Sequence, residues 1–242
     1  MVDTYFDITP YLSAINSGQL IITANNRLRN HMLRAYGQQQ TDTAKVWGGP
    51  RIYSLSQWIE LNWSLLQRRS YSPAAKRIIN NLQRQTLWEK IIAESSLASK
   101  LLQPEPLAQA ADSALRNLEL WQLSEEQVRA AEPLLNNQNN TYCWLTWLGE
   151  FRARLAQLGF ITQEMANQIL VDAFKASQID KEPLIHLIGF DDIPPQHQDL
   201  INNACHELCN NKPEAQHAEL IRTEASNSEA EIRSAALWSK LQ

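Results

Sequence analysis

The chain has 242 residues, enough for one large domain or two small ones with a sizeable buried core. Hydrophobic residues at 44% and charged residues at 20% exclude low-complexity disorder. No apolar run reaches the ~18 residues of a membrane helix, and the N-terminus lacks the basic-then-apolar pattern of a secretory signal, so a soluble, cytoplasmic chain without a membrane partner is expected.

Three cysteines (Cys143, Cys205, Cys209) are too few and too odd for a disulfide framework and fit a reducing compartment. Only 7 glycines are present, and only Gly48 and Gly49 are adjacent, which disfavours glycine-rich phosphate loops. The net charge of −4 hides an asymmetry. Residues 1–100 hold 12 Lys/Arg against 6 Asp/Glu, whereas residues 101–242 hold 10 against 20. A basic portion beside an acidic one is compatible with nucleic-acid contact on one face, and equally with unevenly solvated helical faces.

In chain order, Asp7–Ser17 reads as a short helix stopped by Gly18, and Leu20-Ile21-Ile22-Thr23 as a buried strand. A helix follows over Asn25–Tyr36, carrying Leu28, Met32 and Leu33 and closed by Gly37. Arg51-Ile52-Tyr53 is a second strand and Ser54–Leu66 a helix. Ser72-Pro73 has the look of a cap and first turn, leading into a helix with Ile78, Ile79, Leu82, Leu87 and Ile91. From Ser72 to about Ala176 the pattern is helical throughout. Pro104–Trp121, Ser124–Leu135 and Thr141–Leu158 are helices, the last after a polar break at Asn136–Asn140, and Thr162 caps one more.

Strand signals return at Pro183–Ile188, ended by Gly189. Pro194 and Pro195 open a helix reaching Leu208, and Ala218–Arg222 is a fourth candidate strand. Ser228-x-x-Glu231 is a capping box for a helix still running at Gln242, an ending that suggests the N-terminal piece of a longer protein. Strand–helix units thus bracket an all-helical block. The expectation is an α/β fold: a parallel sheet from residues 1–56 and 180–242, with residues 57–179 as a helical insertion.

Several chemistries can be weighed on these elements. The P-loop pattern G-x-x-x-x-G-K-[ST] is absent, as is G-x-G-x-x-G, so a cradle for nucleotide phosphates is missing and no cofactor is expected. Asp191-Asp192 sits where a magnesium-binding pair would follow a strand, but with no P-loop it reads better as a turn that caps the helix at Pro194. Cys205, His206 and Cys209, with His197 upstream, lie in a predicted helix and lack the second pair a zinc site needs. No metal site and no catalytic residue is expected. Trp58, Trp88, Trp121, Trp144, Trp147 and Trp238 mostly fall at apolar helical spacing and read as core.

Thr23-Ala24-Asn25-Asn26-Arg27 is different. A strand ends where a helix begins, so unpaired amides, two carboxamides and a guanidinium could grip a phosphate backbone. Arg29 and Arg34 extend the basic character, and Lys76, Arg77 and Arg84 suggest another basic helical face. The competing reading is ordinary capping by Asn plus solvated arginines.

Three segments, in this order, resemble known proteins. Leu20–Leu28 resembles motif Ia of UvrD-like superfamily 1 helicases. Leu184–Ile201 resembles the degenerate Walker B segment of AddB-type subunits, and Ser228–Ala236 the glutamate-containing helix that follows it there. Ser54–Trp63, Pro73–Ile92 and Thr141–Leu170 look like the helical insertion of that family. The chain is thus similar to the bacterial family called "probable DNA repair protein" or RecB-like exonucleases, whose members pair an inactive helicase-like N-terminal region with a PD-(D/E)XK nuclease near the C-terminus.

The departures matter too. No Walker A segment precedes Leu20, Ala24 replaces the aromatic of active helicases, and Phe190-Asp191 replaces the motif II carboxylate pair. The resemblance implies a RecA-like layer with a helical insertion, non-catalytic in itself, that engages single-stranded DNA for a repair or recombination exonuclease. Thr23, Asn25, Asn26, Arg27, Ser54 and Ser56 are the candidate DNA contacts. The implied partners are DNA, a downstream nuclease domain that would hold the nuclease metal, and a helicase–nuclease partner subunit. The alternative is a protein-interaction module that docks such a subunit through the helical block and never touches DNA.

Overall fold

A computed structural model describes residues 6–41, 48–96, 104–135, 138–211 and 227–241. The chain divides into two units, Met1–Lys212 and Pro213–Gln242.

The first unit is built on four parallel strands in the order β2-β1-β5-β6. A 3-10 turn at Thr9–Tyr11 leads into α1 (Leu12–Asn16). Gly18 ends that helix with φ +71, a left-handed conformation that costs glycine little. The strand β1 (Leu20–Thr23) is buried along its whole length, as its unbroken β-branched run demands. It pairs on one side with β2 (Ile52–Ser54) and on the other with β5 (Glu182–Ile188), so that Ile21 lies between Ile52 and His186. The fourth strand, β6 (Cys205–Asn211), flanks β5.

Between β1 and β2 runs α2 (Asn26–Thr41), and between β5 and β6 runs α9 (Pro195–Ala204). The two crossovers leave the sheet centre in opposite directions. Because such crossovers are right-handed, their helices fall on opposite faces. The cores agree: Met32 and Tyr36 of α2 pack with Ile21, Ile52 and Ile188 on one face. Leu200 and Ile201 of α9 pack with Leu20, Ile22, Ile185 and Leu187 on the other. The second face also receives α3 (Leu55–Arg68) and α8 (Gln163–Lys175), where Trp58 stacks on Phe174 at 6.1 Å. At the amino edge, Arg51 forms a fork with both carboxylate oxygens of Glu182 (2.6 and 3.0 Å), tying the amino ends of β2 and β5 together across β1.

In sequence between β2 and β5 come α4 (Asn81–Glu94), α5 (Pro104–Leu120), α6 (Glu125–Leu135) and α7 (Gln138–Gln157), followed by α8. Helices α4, α5 and α7 have their own core, centred on Trp88 stacked against Phe151 at 4.3 Å. This stretch is not all helix. A two-stranded parallel ribbon, β3 (Arg77–Ile78) and β4 (Phe160–Ile161), joins positions some eighty residues apart.

Other expectations are corrected as well. Helix α2 runs through Gly37 to Thr41, because Gly37 adopts helical geometry with open space around it. Ser72–Ala75 is only a 3-10 turn, and α4 starts at Asn81 behind Asn80, whose side chain accepts from Gln83 N at 2.8 Å. Helix α9 stops at Ala204, so Cys205, His206 and Cys209 lie on strand β6, not in a helix. Trp58, Trp88 and Trp147 are core, but Trp121 is 44% exposed.

In the second unit, α10 (Ser228–Leu241) is capped by Asn227, whose Oδ1 accepts from Ala230 N at 2.8 Å; Ser228 is already the first helical residue. The candidate strand at Ala218–Arg222 and the side chain of Trp238 lie outside the described residues.

Candidate nucleic-acid interface

Parallel strands send their following helices off one common edge, and here β1, β2 and β5 deliver the N-termini of α2 and α3 and the approach to α9 there. Helix N-termini present unsatisfied N–H groups and a partial positive charge. The strand order reverses between β1 and β5, and in open parallel sheets ligands bind in the crevice outside such a switch point.

That crevice is filled. Gly189 follows β5 with φ +76, and a Cβ placed there would stand 2.5 Å from Leu28 Cδ2. The first turn of α2 therefore packs directly onto the loop after β5, and Ala24 N donates to Ile188 O at 3.1 Å to tie the two loops together. The Leu28 side chain thus lies directly against the Gly189 backbone at this switch point.

The candidate contacts divide by environment. Thr23 is buried, with its hydroxyl donating to Asn25 O (3.0 Å) and reaching Tyr53 O (3.4 Å), so it shapes the turn. Ser54 is buried too; its Oγ accepts from Gln57 N while Gln57 Oε1 accepts from Ser54 N, the reciprocal capping box of α3. Asn25 caps α2, its Oδ1 accepting from Leu28 N at 2.9 Å. Asn26 and Arg27 are exposed at the start of α2 and Ser56 at the start of α3, where they can meet a ligand.

The surrounding arginines sort differently from their spacing. Arg29 Nε donates to Ile52 O at 3.0 Å and fastens α2 to β2. Arg34 is exposed along α2. Lys76 and Arg77 are exposed but not helical, and Arg84 is buried, so the second basic helical face does not form. Asp191 and Asp192 are exposed in the loop; Asp192 Oδ1 accepts from Ile193 N, and α9 starts at Pro195 behind Pro194, with no side-chain cap. Cys205 is buried against Ile201 O, which pushes its thiol pKa up. Among the described residues no group of three His, Cys, Asp or Glu is placed to hold a metal.

Sequence reasoning missed a buried polar network behind this edge. Parallel pairing of β3 with β4 makes both chains leave the ribbon at the same end, so α4 and α8 start side by side under the caps Asn80 and Thr162. Arg84, in the second turn of α4, is 2% exposed and pairs with Asp112 of α5 and, at 2.9 Å, with Glu164 of α8. Asp112 also accepts from Trp88 Nε1 (3.1 Å) and Arg116 Nε (3.0 Å). Glu119 accepts from the Thr162 hydroxyl at 3.2 Å, and burial, reinforced by the Glu164 charge, raises its pKa to about 7. The signal was present: Arg84 sits three and four residues before Leu87 and Trp88, on the apolar stripe of its helix.

No protein-family model matches the chain, and no curated protein matches it.

Proposed function

We infer that the chain is a non-catalytic, helicase-like region with a RecA-like layer and a helical insertion, which engages single-stranded DNA on behalf of a repair or recombination exonuclease. One observation carries this reading: a switch-point edge closed by Leu28 against Gly189 still offers Asn26, Arg27 and Ser56 to solvent at two helix N-termini. A closed switch point beside exposed polar side chains at helix N-termini supports holding a strand rather than hydrolysing a nucleotide. Backbone phosphates would meet the α2 N-terminus and Arg27, contacts that give position and affinity but not sequence choice. The downstream nuclease would supply the metal and the cleavage chemistry. Photocrosslinking an oligonucleotide carrying 4-thiothymidine tests this. Adducts within residues 24–34 are expected; adducts confined to the α4–α7 helices would contradict it.

A second reading, docking of a helicase–nuclease partner subunit, is favoured by one feature. Between α4 and α7 lies an apolar groove of about 540 Å³ floored by Ile79, Leu87 and Phe160. At its mouth Leu82 is 76% and Leu158 59% exposed. Leu82→Glu would then abolish subunit capture and leave DNA binding intact.

A further inference from the structure

Beside the sheet edge opens a second, polar cavity of about 660 Å³, within the range of small-molecule sites. One wall is α3, beginning with Ser56 at the carboxyl end of β2 and continuing through Ser64. The opposite wall is the paired N-termini of α4 and α8, with Asn80, Asn81 and Gln163. Arg84 and Glu164 line the same space.

The charge balance decides what kind of ligand fits. Two guanidiniums, Arg84 and Arg116, share two carboxylates, Asp112 and Glu164, and Glu60 adds a further negative charge at the wall. A phosphate gains little from arginines already neutralised in this way. Hydrogen-bonding capacity, by contrast, is left over. Arg84 Nη2 is buried with no hydrogen-bond partner, a donor left unmet unless an acceptor arrives. Three carboxamides each have one end committed: Asn80 Oδ1 to Gln83 N, Asn81 Oδ1 to Arg116 Nη2, and Gln163 Nε2 to Asn167 Oδ1. Among the described residues no hydrogen bond engages their other ends. Oriented carboxamides beside a buried donor suit a neutral ring with an alternating donor–acceptor edge.

We propose that this cavity receives one unstacked nucleobase of the single strand lying on the neighbouring sheet edge, entering past Ser56. The site rests on the single-strand reading above and deepens it: the edge holds the backbone while the cavity takes a base, so paired or stacked bases are excluded.

The test uses the whole chain with a single-stranded oligonucleotide carrying one 2-aminopurine, whose emission rises on unstacking, and saturation-transfer NMR with free deoxyadenosine. Ser64→Phe fills the cavity from a partly exposed helix position, and Gln163→Ala removes a lining carboxamide at an exposed one. The expected result is an emission rise on binding that both variants suppress, with affinity reduced about tenfold in Ser64→Phe. Binding with no emission rise, or a rise both variants retain, overturns the cavity and leaves the strand reading standing. No oligonucleotide binding, with deoxyadenosine saturating the wild type but not Ser64→Phe, overturns the strand reading and keeps a nucleoside site. Neither ligand binding overturns both.

Discussion

Glu119 shows how one side chain couples this molecule to pH. Its folded-state pKa of about 7 stands above the usual 4.5, because burial and the Glu164 carboxylate both oppose its charge. Below 4.5 folded and unfolded chains both hold the proton. As pH climbs towards 7 the unfolded chain releases it first, so stability falls through this window and levels off above it. Glu119→Gln should match the wild type near pH 4.5 and exceed it at pH 8 by about 1–2 kcal/mol, read from urea midpoints at the two pH values. Arg84 is the converse case. Arg84→Met leaves Glu164 buried without its cation and Asp112 with only the partly exposed Arg116, and should cost about 3–5 kcal/mol by the same measurement. The burial of Arg84 was readable from its place on the apolar stripe. Its partners were not, because Asp112 and Glu164 come from helices that only the tertiary fold brings together.

At the scale of elements, caps and switch points separate what local sequence dictates from what pairing imposes. Ser54→Ala removes the capping box of α3 and should cost about 1 kcal/mol. Gly189→Ala forces φ +76 on a residue with a side chain and pushes Cβ at Leu28, for about 1–3 kcal/mol. Thermal melts of both variants check the ranking. The strands β1, β2 and β5 and most helices were legible, since their apolar runs and periodicities are local. The ribbon β3–β4 was not: two residues carry no period, and the strand exists only because Phe160-Ile161 pairs with Arg77-Ile78. Strand β6 was misread as helix because Cys205–Asn211 lacks a β-branched run and gains its extension from hydrogen bonding to β5. At the candidate site the strand-to-helix junction was legible, but the burial of Thr23 and Ser54 was not, because it depends on the neighbouring strand and helix.

For the molecule as a whole, charge and topology act together. The chain is acidic overall, with its basic surplus in residues 1–100, and β1, α2, β2 and α3 of the sheet edge come from that portion. A single strand held there should show counterion release, with log affinity falling against log salt by about 0.7 for each phosphate neutralised. The most direct measurement is fluorescence-anisotropy binding of a labelled single strand between 50 and 200 mM salt, for the wild type and for Asn26→Ala/Arg27→Ala. Salt-sensitive binding that favours single strands over duplex is expected. In the variant, affinity should drop and the salt slope should shrink by roughly 0.7. A flat salt dependence, or a variant indistinguishable from the wild type, would contradict the strand reading.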